Sequence, residues 1–165
     1  MVAMPARSSC GVVCIAVLAA CSGAEHPDYI ARDPCAPLAI TKANATPIEL
    51  DGIAQAVALW RERGVSAFDA APDDAAGAPI EIRFDNAAPV FHGVYDPSAA
   101  RVLINRDLAD AATLGIVIAH ELGHVFGLAH IAPASRISLM NPGNLITPPT
   151  EEDQRTLEAL WGSCR

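Results

Sequence analysis

The stretch HELGHVFGLAH, residues 120–130, decides how this chain folds and what it can bind. His120 and His124 are four residues apart, so on a helix their imidazoles project from one face about one turn apart and can bind one cation. His130 follows six residues later, too far along a straight helix to share that face with good geometry. Gly127 resolves this, because a glycine can take the left-handed conformation that ends a helix and lets the chain double back. The stretch therefore predicts three imidazoles around one metal ion.

Glu121 follows the first of these histidines directly and need not be a ligand itself. Its carboxylate is expected beside a metal-bound water, where it can act as a general base. Three neutral imidazoles leave a fourth coordination position open, which distinguishes a catalytic zinc site from a closed structural one. We therefore expect one Zn²⁺ ion with a catalytic carboxylate next to it.

The pattern H-E-x-x-H-x-x-G-x-x-H resembles the signature of the metzincin zinc metallopeptidases. Ten residues after the third histidine, Met140 lies in the segment SLMNP, residues 138–142, which resembles the Met-turn of that family. There a soft thioether fills the space beneath the imidazoles without competing as a ligand. The closing Leu-Trp-Gly, residues 160–162, resembles matrixins more than other metzincins, although Ile131 stands where matrixins usually have serine. The chain is therefore matrixin-like, with no subfamily assigned.

This resemblance implies an α+β fold of the metzincin zincin type. It has a small twisted mixed sheet, a central zinc-binding helix, the Met-turn and a C-terminal helix. Hydrophobic periodicity agrees with that architecture, because it predicts helices at 48–63, 111–126 and from 150 onward, and strands at 80–84, 90–95 and 101–105. In the central helix we expect Asp107 or Asp110 as the N-cap. Its expected buried stripe consists of Leu114, Ile118, Leu122 and Val125.

In metzincins the strand one hairpin before the active-site helix is the sheet edge that lines the cleft. A peptide can pair with such an edge as an extra strand. By this resemblance, the candidates for holding a peptide through their backbone are His92, Gly93, Val94 and Tyr95. Matrixins often bind a second, structural zinc near this point, but its histidine- and aspartate-rich loop has no counterpart here, so we assign no second zinc. Residues 143–149 are expected to wall the pocket for the substrate residue after the scissile bond.

The activity that the resemblance implies is zinc-dependent endopeptidase action, in which Glu121 activates the zinc-bound water and then passes its proton to the leaving amine. The alternative is a non-catalytic, zinc-binding surface lipoprotein that keeps the zincin fold. Glu121 counts against that alternative, because zinc binding alone does not require the carboxylate. A restricted exopeptidase, which would release single residues only, is a third possibility.

The N-terminal segment resembles a bacterial lipoprotein signal. Arg7 precedes an apolar run, residues 11–20, that is too short to span a bilayer, and the run ends in Leu-Ala-Ala-Cys at Cys21. In such proteins this cysteine receives the lipid and becomes the first mature residue, so Cys21 is the expected membrane anchor. An ordinary secretory signal, leaving Cys21 as a free thiol, is the alternative. Export follows either way.

Three regions follow from these patterns: a signal peptide at 1–20, a tether and extended lead-in at 21–47, and a catalytic domain at 48–165. We expect a cell-envelope lipoprotein at the outer membrane or cell surface.

The chain contains five cysteines. Two lie within the signal peptide and a third is the lipidation site, so Cys35 and Cys164 remain. In an oxidising compartment two thiols suggest one disulfide. The alternative is that residues 32–37 act like the cysteine-switch segment of matrixins, which they loosely resemble and in which a thiolate occupies the fourth zinc position. The expected Arg-Cys-Gly order is missing, so the disulfide is favoured.

The chain is acidic, because it has 11 basic and 19 acidic residues and a formal net charge of −8 at pH 7. Loss of the signal peptide removes one arginine. Such a balance argues against nucleic acid or an anionic membrane surface as partner. The acidic cluster Asp69, Asp73 and Asp74 could in principle bind calcium, but its spacing matches no calcium loop. The expected partners are a peptide or protein substrate and the membrane, through the lipid on Cys21, and we expect a monomer.

Overall fold

The computed structural model describes residues 31–69, 75 and 77–164. Within these residues the chain forms an α+β fold of three helices and one four-stranded sheet. The elements in chain order are β1 (Ile40–Ala43), α1 (Pro47–Arg61), β2 (Ile80–Asp85), β3 (Gly93–Asp96), β4 (Arg101–Asn105), α2 (Ala111–Val125) and α3 (Glu151–Trp161). The predicted signal peptide and the proposed lipidation site at Cys21 lie outside the described residues. So do Asp73 and Asp74 of the acidic cluster, whereas Asp69 forms an ion pair with Arg61.

The sheet is mixed, as expected, with the strand order β1-β2-β4-β3. β1, β2 and β4 run parallel, while β3 pairs antiparallel with β4 and forms one edge. The β3–β4 connection is closed by the carboxylate of Asp96, which accepts hydrogen bonds from Ser98 and from the backbone of Ala99. The predicted hairpin therefore supplies the edge strand that borders α2.

β1 lies inside the stretch expected to be a tether and lead-in, so the sheet begins before the expected domain boundary at residue 48. Its four residues pair in parallel with β2, with Ile40 opposite Ile80. A strand of four residues is too short to show alternation, and prolines at positions 37 and 47 flank it. Pairing with a distant strand, and not a local pattern, makes this segment extended.

α2 is the centre of the core. Asp110 caps it by accepting a hydrogen bond from the backbone N–H of Thr113, so Asp110 rather than Asp107 is the N-cap. The predicted stripe is fully buried, at 0% exposure for Leu114, Ile118, Leu122 and Val125. Because other parts of the fold cover most sides of α2, the polar side chains on this helix lie in a well-defined environment.

α1 packs directly on α2. A Cβ atom on Gly52 would lie 2.7 Å from Cβ of Leu114, so the glycine permits a close approach of the two helices. Trp60 is fully buried, and its indole N–H donates to the carbonyl of Ala119 at 2.9 Å. α1 therefore supports α2 one residue before the first histidine of the motif.

The predicted disulfide between Cys35 and Cys164 is confirmed, and it joins the start of the described chain to its end. Nearby, the backbone N–H of Arg32 donates to the carbonyl of Val125, so the segment before β1 lies against the end of α2. Among the described residues, no helix combines the length and apolar character that a membrane crossing requires.

Candidate metal centre

The helix α2 ends where the sequence predicts, and the chain then turns back. Gly127 has φ +93°, in the left-handed region, and the N–H of Leu128 donates to the carbonyl of Gly123. As a result, Nε2 of His130 lies 3.2 Å from Nε2 of His120 and 3.2 Å from Nε2 of His124. Zn–N bonds of about 2.0–2.1 Å in tetrahedral geometry place neighbouring ligand nitrogens roughly 3.3 Å apart. The three histidines therefore form a group that could hold a metal ion.

The protonation of two of these rings is set by backbone carbonyls. Nδ1 of His120 lies 2.7 Å from the carbonyl oxygen of Leu139, and Nδ1 of His124 lies 2.8 Å from that of Leu128. A carbonyl oxygen can only accept, so each Nδ1 carries the proton and each Nε2 directs a lone pair at the centre of the group. This donor set fits a cation bound by neutral imidazoles.

Burial also keeps these imidazoles neutral. Desolvation has the largest effect on the pKa of His120 and lowers it, whereas the hydrogen bond to Leu139 acts in the opposite direction. Burial likewise lowers the pKa of His124 to about 4. His130 is more exposed and closes the group from the solvent side. Near neutral pH these two imidazoles are therefore in the form that binds metals.

Glu121 lies on the same helix and faces the edge strand. The side chain is buried, with 5% exposure. Burial raises its pKa to about 7, and a hydrogen bond from the backbone N–H of Tyr95 acts in the opposite direction. A Cβ atom on Gly93 would lie 3.0 Å from Oε1 of Glu121, so the absence of a side chain there makes room for the carboxylate. A carboxylate with such a pKa can both take and return a proton near neutral pH.

Met140 packs against α2 from the inside. It is 1% exposed, and a Cβ atom on Gly123 would lie 2.5 Å from its Sδ. Its carbonyl accepts a hydrogen bond from the N–H of Ile131, which ties the turn to the chain just after the third histidine. The structure thus places this methionine against the helix residue that precedes His124.

One part of the site was not anticipated from the sequence. Asp153, at the start of α3, is 0% exposed. Its carboxylate accepts hydrogen bonds from Ser138 Oγ and from the backbone N–H groups of Leu139 and Thr150. It also forms an ion pair with Arg136. Burial opposes its ionisation, but these hydrogen bonds together hold its pKa below the ordinary value. The sequence does show a capping box at Thr150 and Asp153, but not that the carboxylate also reaches the turn before Met140.

Two depressions meet at the three histidines, and both are bordered by Gly93, Glu121 and His130. The first, of about 190 Å³, extends past His92 and residues 142–144. The second, of about 350 Å³, extends along Val94 and Tyr95 to Pro97 and Ala129. Together they form a cleft that runs across the histidine group.

The edge strand offers alternate residues to this cleft. The N–H of Asn105 donates to the carbonyl of His92, so in the antiparallel ladder the backbone groups of His92 and Val94 face β4. The backbone groups of Gly93 and Tyr95 then face away from β4. Of the four residues expected to hold a peptide, these two therefore have main-chain groups directed away from the sheet, and the N–H of Tyr95 donates to Glu121.

No protein-family model matches this chain, and no curated protein sequence does. The fold and the site together define an α+β protein with a buried carboxylate beside three histidines that could bind a metal ion.

Proposed function

We propose that this protein is a zinc-dependent endopeptidase of the matrixin-like metzincin type. The observation that carries the proposal is the position of Glu121, a buried carboxylate beside three converging imidazoles in the middle of a cleft. Three imidazole nitrogens suit Zn²⁺, which in catalytic sites keeps a position open for water or substrate. When bound, zinc supplies a Lewis acid that makes water nucleophilic near neutral pH and polarises a carbonyl group.

The protein's own residues would handle the protons. Glu121 would accept a proton from the attacking water as the oxygen bonds to the scissile carbonyl carbon, and then deliver that proton to the amine nitrogen as the C–N bond breaks. Burial favours this role, because a desolvated carboxylate holds a proton more strongly than one in water. A nearby cation acts in the opposite direction and would lower its pKa again.

The substrate would be an extended peptide that lies along β3. The outward backbone N–H and carbonyl of Gly93 suit pairing with such a strand. The cleft continues on both sides of Glu121, toward residues 142–144 and toward Pro97, so it accommodates chain before and after the scissile bond. That geometry favours cleavage within a chain over release of single terminal residues.

We further propose that the protein acts outside the cytoplasm as a lipoprotein anchored through Cys21. The disulfide between Cys35 and Cys164 supports export, because disulfides persist mainly in oxidising compartments. Mass spectrometry of protein from its native host would detect the acyl groups, and an unmodified Cys21 would favour ordinary secretion.

The decisive test is Glu121→Ala, with Glu62→Ala as a control because Glu62 is an exposed carboxylate beyond the end of α1. Purified proteins are incubated with casein and with a mixed peptide library, with and without a chelator. We expect wild type and Glu62→Ala to cleave internal peptide bonds and to stop when chelated. Glu121→Ala should retain zinc but lose cleavage by orders of magnitude.

Unchanged peptide cleavage by the Glu121→Ala variant would refute the proposed mechanism. Zinc binding by the wild type without any cleavage would instead favour the non-catalytic zinc-binding lipoprotein.

A further inference from the structure

A series of hydrogen bonds connects the metal site to the buried carboxylate of Asp153. Nδ1–H of His120 donates to the carbonyl of Leu139 at 2.7 Å. That carbonyl belongs to the same peptide unit as the N–H of Met140, which donates to Ser138 Oγ at 2.9 Å. The hydroxyl of Ser138 donates in turn to Asp153 Oδ1 at 2.5 Å. The series therefore runs without a break from an imidazole to a carboxylate.

All three hydrogen bonds point in the same direction. An ionised carboxylate can only accept, so Ser138 must donate to Asp153. Ser138 has one hydroxyl proton, so it can meet the N–H of Met140 only as an acceptor. Aligned hydrogen bonds polarise one another, and the negative charge at one end makes each acceptor along the series stronger. The Leu139 carbonyl is thereby a stronger acceptor for the imidazole of His120.

The surroundings keep this effect from being screened. Ser138, Leu139 and Asp153 are each 0% exposed, and His120 is 7% exposed. In such an interior, hydrogen bonds and charges act more strongly than they do in water. An imidazole that donates from Nδ1 to a stronger acceptor has a more basic Nε2, the nitrogen that faces the metal position.

We propose that Ser138 and Asp153 are positioning residues of the metal site, which act through the Leu139–Met140 peptide to fix the tautomer of His120 and strengthen it as a metal ligand. This rests on the metal-binding part of the proposed function and not on peptide cleavage. It assigns to Asp153 a role beyond capping α3.

Thr150 offers a matched control, because its hydroxyl also donates a hydrogen bond to Asp153, but to Oδ2 and not to the Oδ1 atom that Ser138 contacts. We therefore compare Ser138→Ala with Thr150→Ala, and we use Ser138→Thr to restore a hydroxyl. The readouts are the zinc dissociation constant, from competition with a chromogenic chelator, and the visible spectrum of the cobalt-substituted protein. Thermal unfolding of the metal-free proteins reports their stability separately.

We expect Ser138→Ala to weaken zinc binding by about tenfold and to shift the cobalt spectrum. Ser138→Thr should recover most of the affinity. Thr150→Ala should lower the stability of the metal-free protein but leave the zinc dissociation constant within about twofold of wild type. If Ser138→Ala does not fold, Ser138→Cys replaces it, because a thiol is a weaker donor and acceptor than a hydroxyl, and a smaller loss of zinc affinity is then expected.

This inference would be overturned if Ser138→Ala bound zinc as tightly as wild type, or if Thr150→Ala lost as much zinc affinity as Ser138→Ala. Neither result would contradict the proposed function. A wild-type protein that binds no zinc would overturn both. Because metal affinity is measured without substrate, a failure of peptide cleavage alone affects only the proposed function.

Discussion

At Gly123, the helix that carries two of the three histidines packs closely against a core side chain. Gly123 lies between two of the histidines in sequence, and its missing side chain leaves the space that Sδ of Met140 fills. At Gly115, on the same helix, an added Cβ atom would also meet a close neighbour, which is the side chain of Gln55. Met140 is 1% exposed, whereas Gln55 is exposed and can rotate into solvent. The two glycines thus differ in what surrounds them and not in their helical backbone.

We predict that Gly123→Ala lowers the free energy of unfolding by about 1–3 kcal/mol, because a methyl group forced against a buried side chain strains the core. It should also weaken zinc binding, since the displaced methionine lies beside the helix turn that carries His124. Gly115→Ala should be neutral or stabilising, because alanine favours a helix over glycine by up to about 1 kcal/mol. Urea unfolding and zinc titration of both variants check this. Equal effects at the two positions would contradict it.

At the scale of elements, α3 matters because its first turn is attached to the turn before Met140. Asp153 accepts hydrogen bonds from Thr150 in its own capping box and from Ser138 and Leu139 across the gap. The same carboxylate therefore begins a helix and anchors the loop beneath the metal site. Removing its charge should loosen both.

We predict that Asp153→Asn destabilises the metal-free protein by about 3 kcal/mol near neutral pH, as expected when a buried ion pair loses one partner. The pKa of Asp153 is lower in the folded protein than its ordinary value of 3.8. Its contribution to stability is therefore present above that value and is lost as the pH falls through the folded pKa.

The difference in stability between wild type and variant should accordingly shrink as the pH falls below 3.8 and through the lower pKa of the folded protein. Urea unfolding in the presence of a chelator measures it without interference from metal release. A difference that does not change with pH would contradict the assignment.

At the scale of the whole molecule, the disulfide joins the two ends of the described chain across 129 residues. It holds the segment before β1 against the end of α2, where the N–H of Arg32 reaches the carbonyl of Val125. Because Cys35 is bonded to Cys164, its sulfur does not serve the metal site as a cysteine switch would. The bridge stabilises the fold without touching the three histidines.

Replacing both cysteines by serine should lower the free energy of unfolding by roughly 4–5 kcal/mol at most, from the entropy of the opened loop. Zinc binding should persist, because the three proposed ligands lie within residues 120–130. Denaturant unfolding with and without reductant tests this, and reductant should weaken the wild type but not the double variant. An increase in cleavage in the double variant would instead indicate inhibition by this segment.

Much of the site could be predicted from the sequence, because it depends on spacing along one helix. A separation of four residues places His120 and His124 on one face, and Gly127, three residues later, can take the left-handed conformation that ends the helix. The buried stripe of α2 follows from the same period. The sequence also favoured the disulfide, since the predicted signal peptide and lipidation site account for the other three cysteines.

Other features were decided only by the tertiary structure, because they depend on residues that are far apart in the chain. β1 has no pattern of its own and becomes a strand by pairing with β2. The ladder with β4, and not the composition of β3, determines that the backbone groups of Gly93 and Tyr95 point away from β4. Asp153 reads locally as a helix cap, and only the packing of α3 under residues 138–140 brings its charge within hydrogen-bonding reach of the turn that holds His120. Local chain geometry brings the three histidines together, and long-range packing determines what surrounds them.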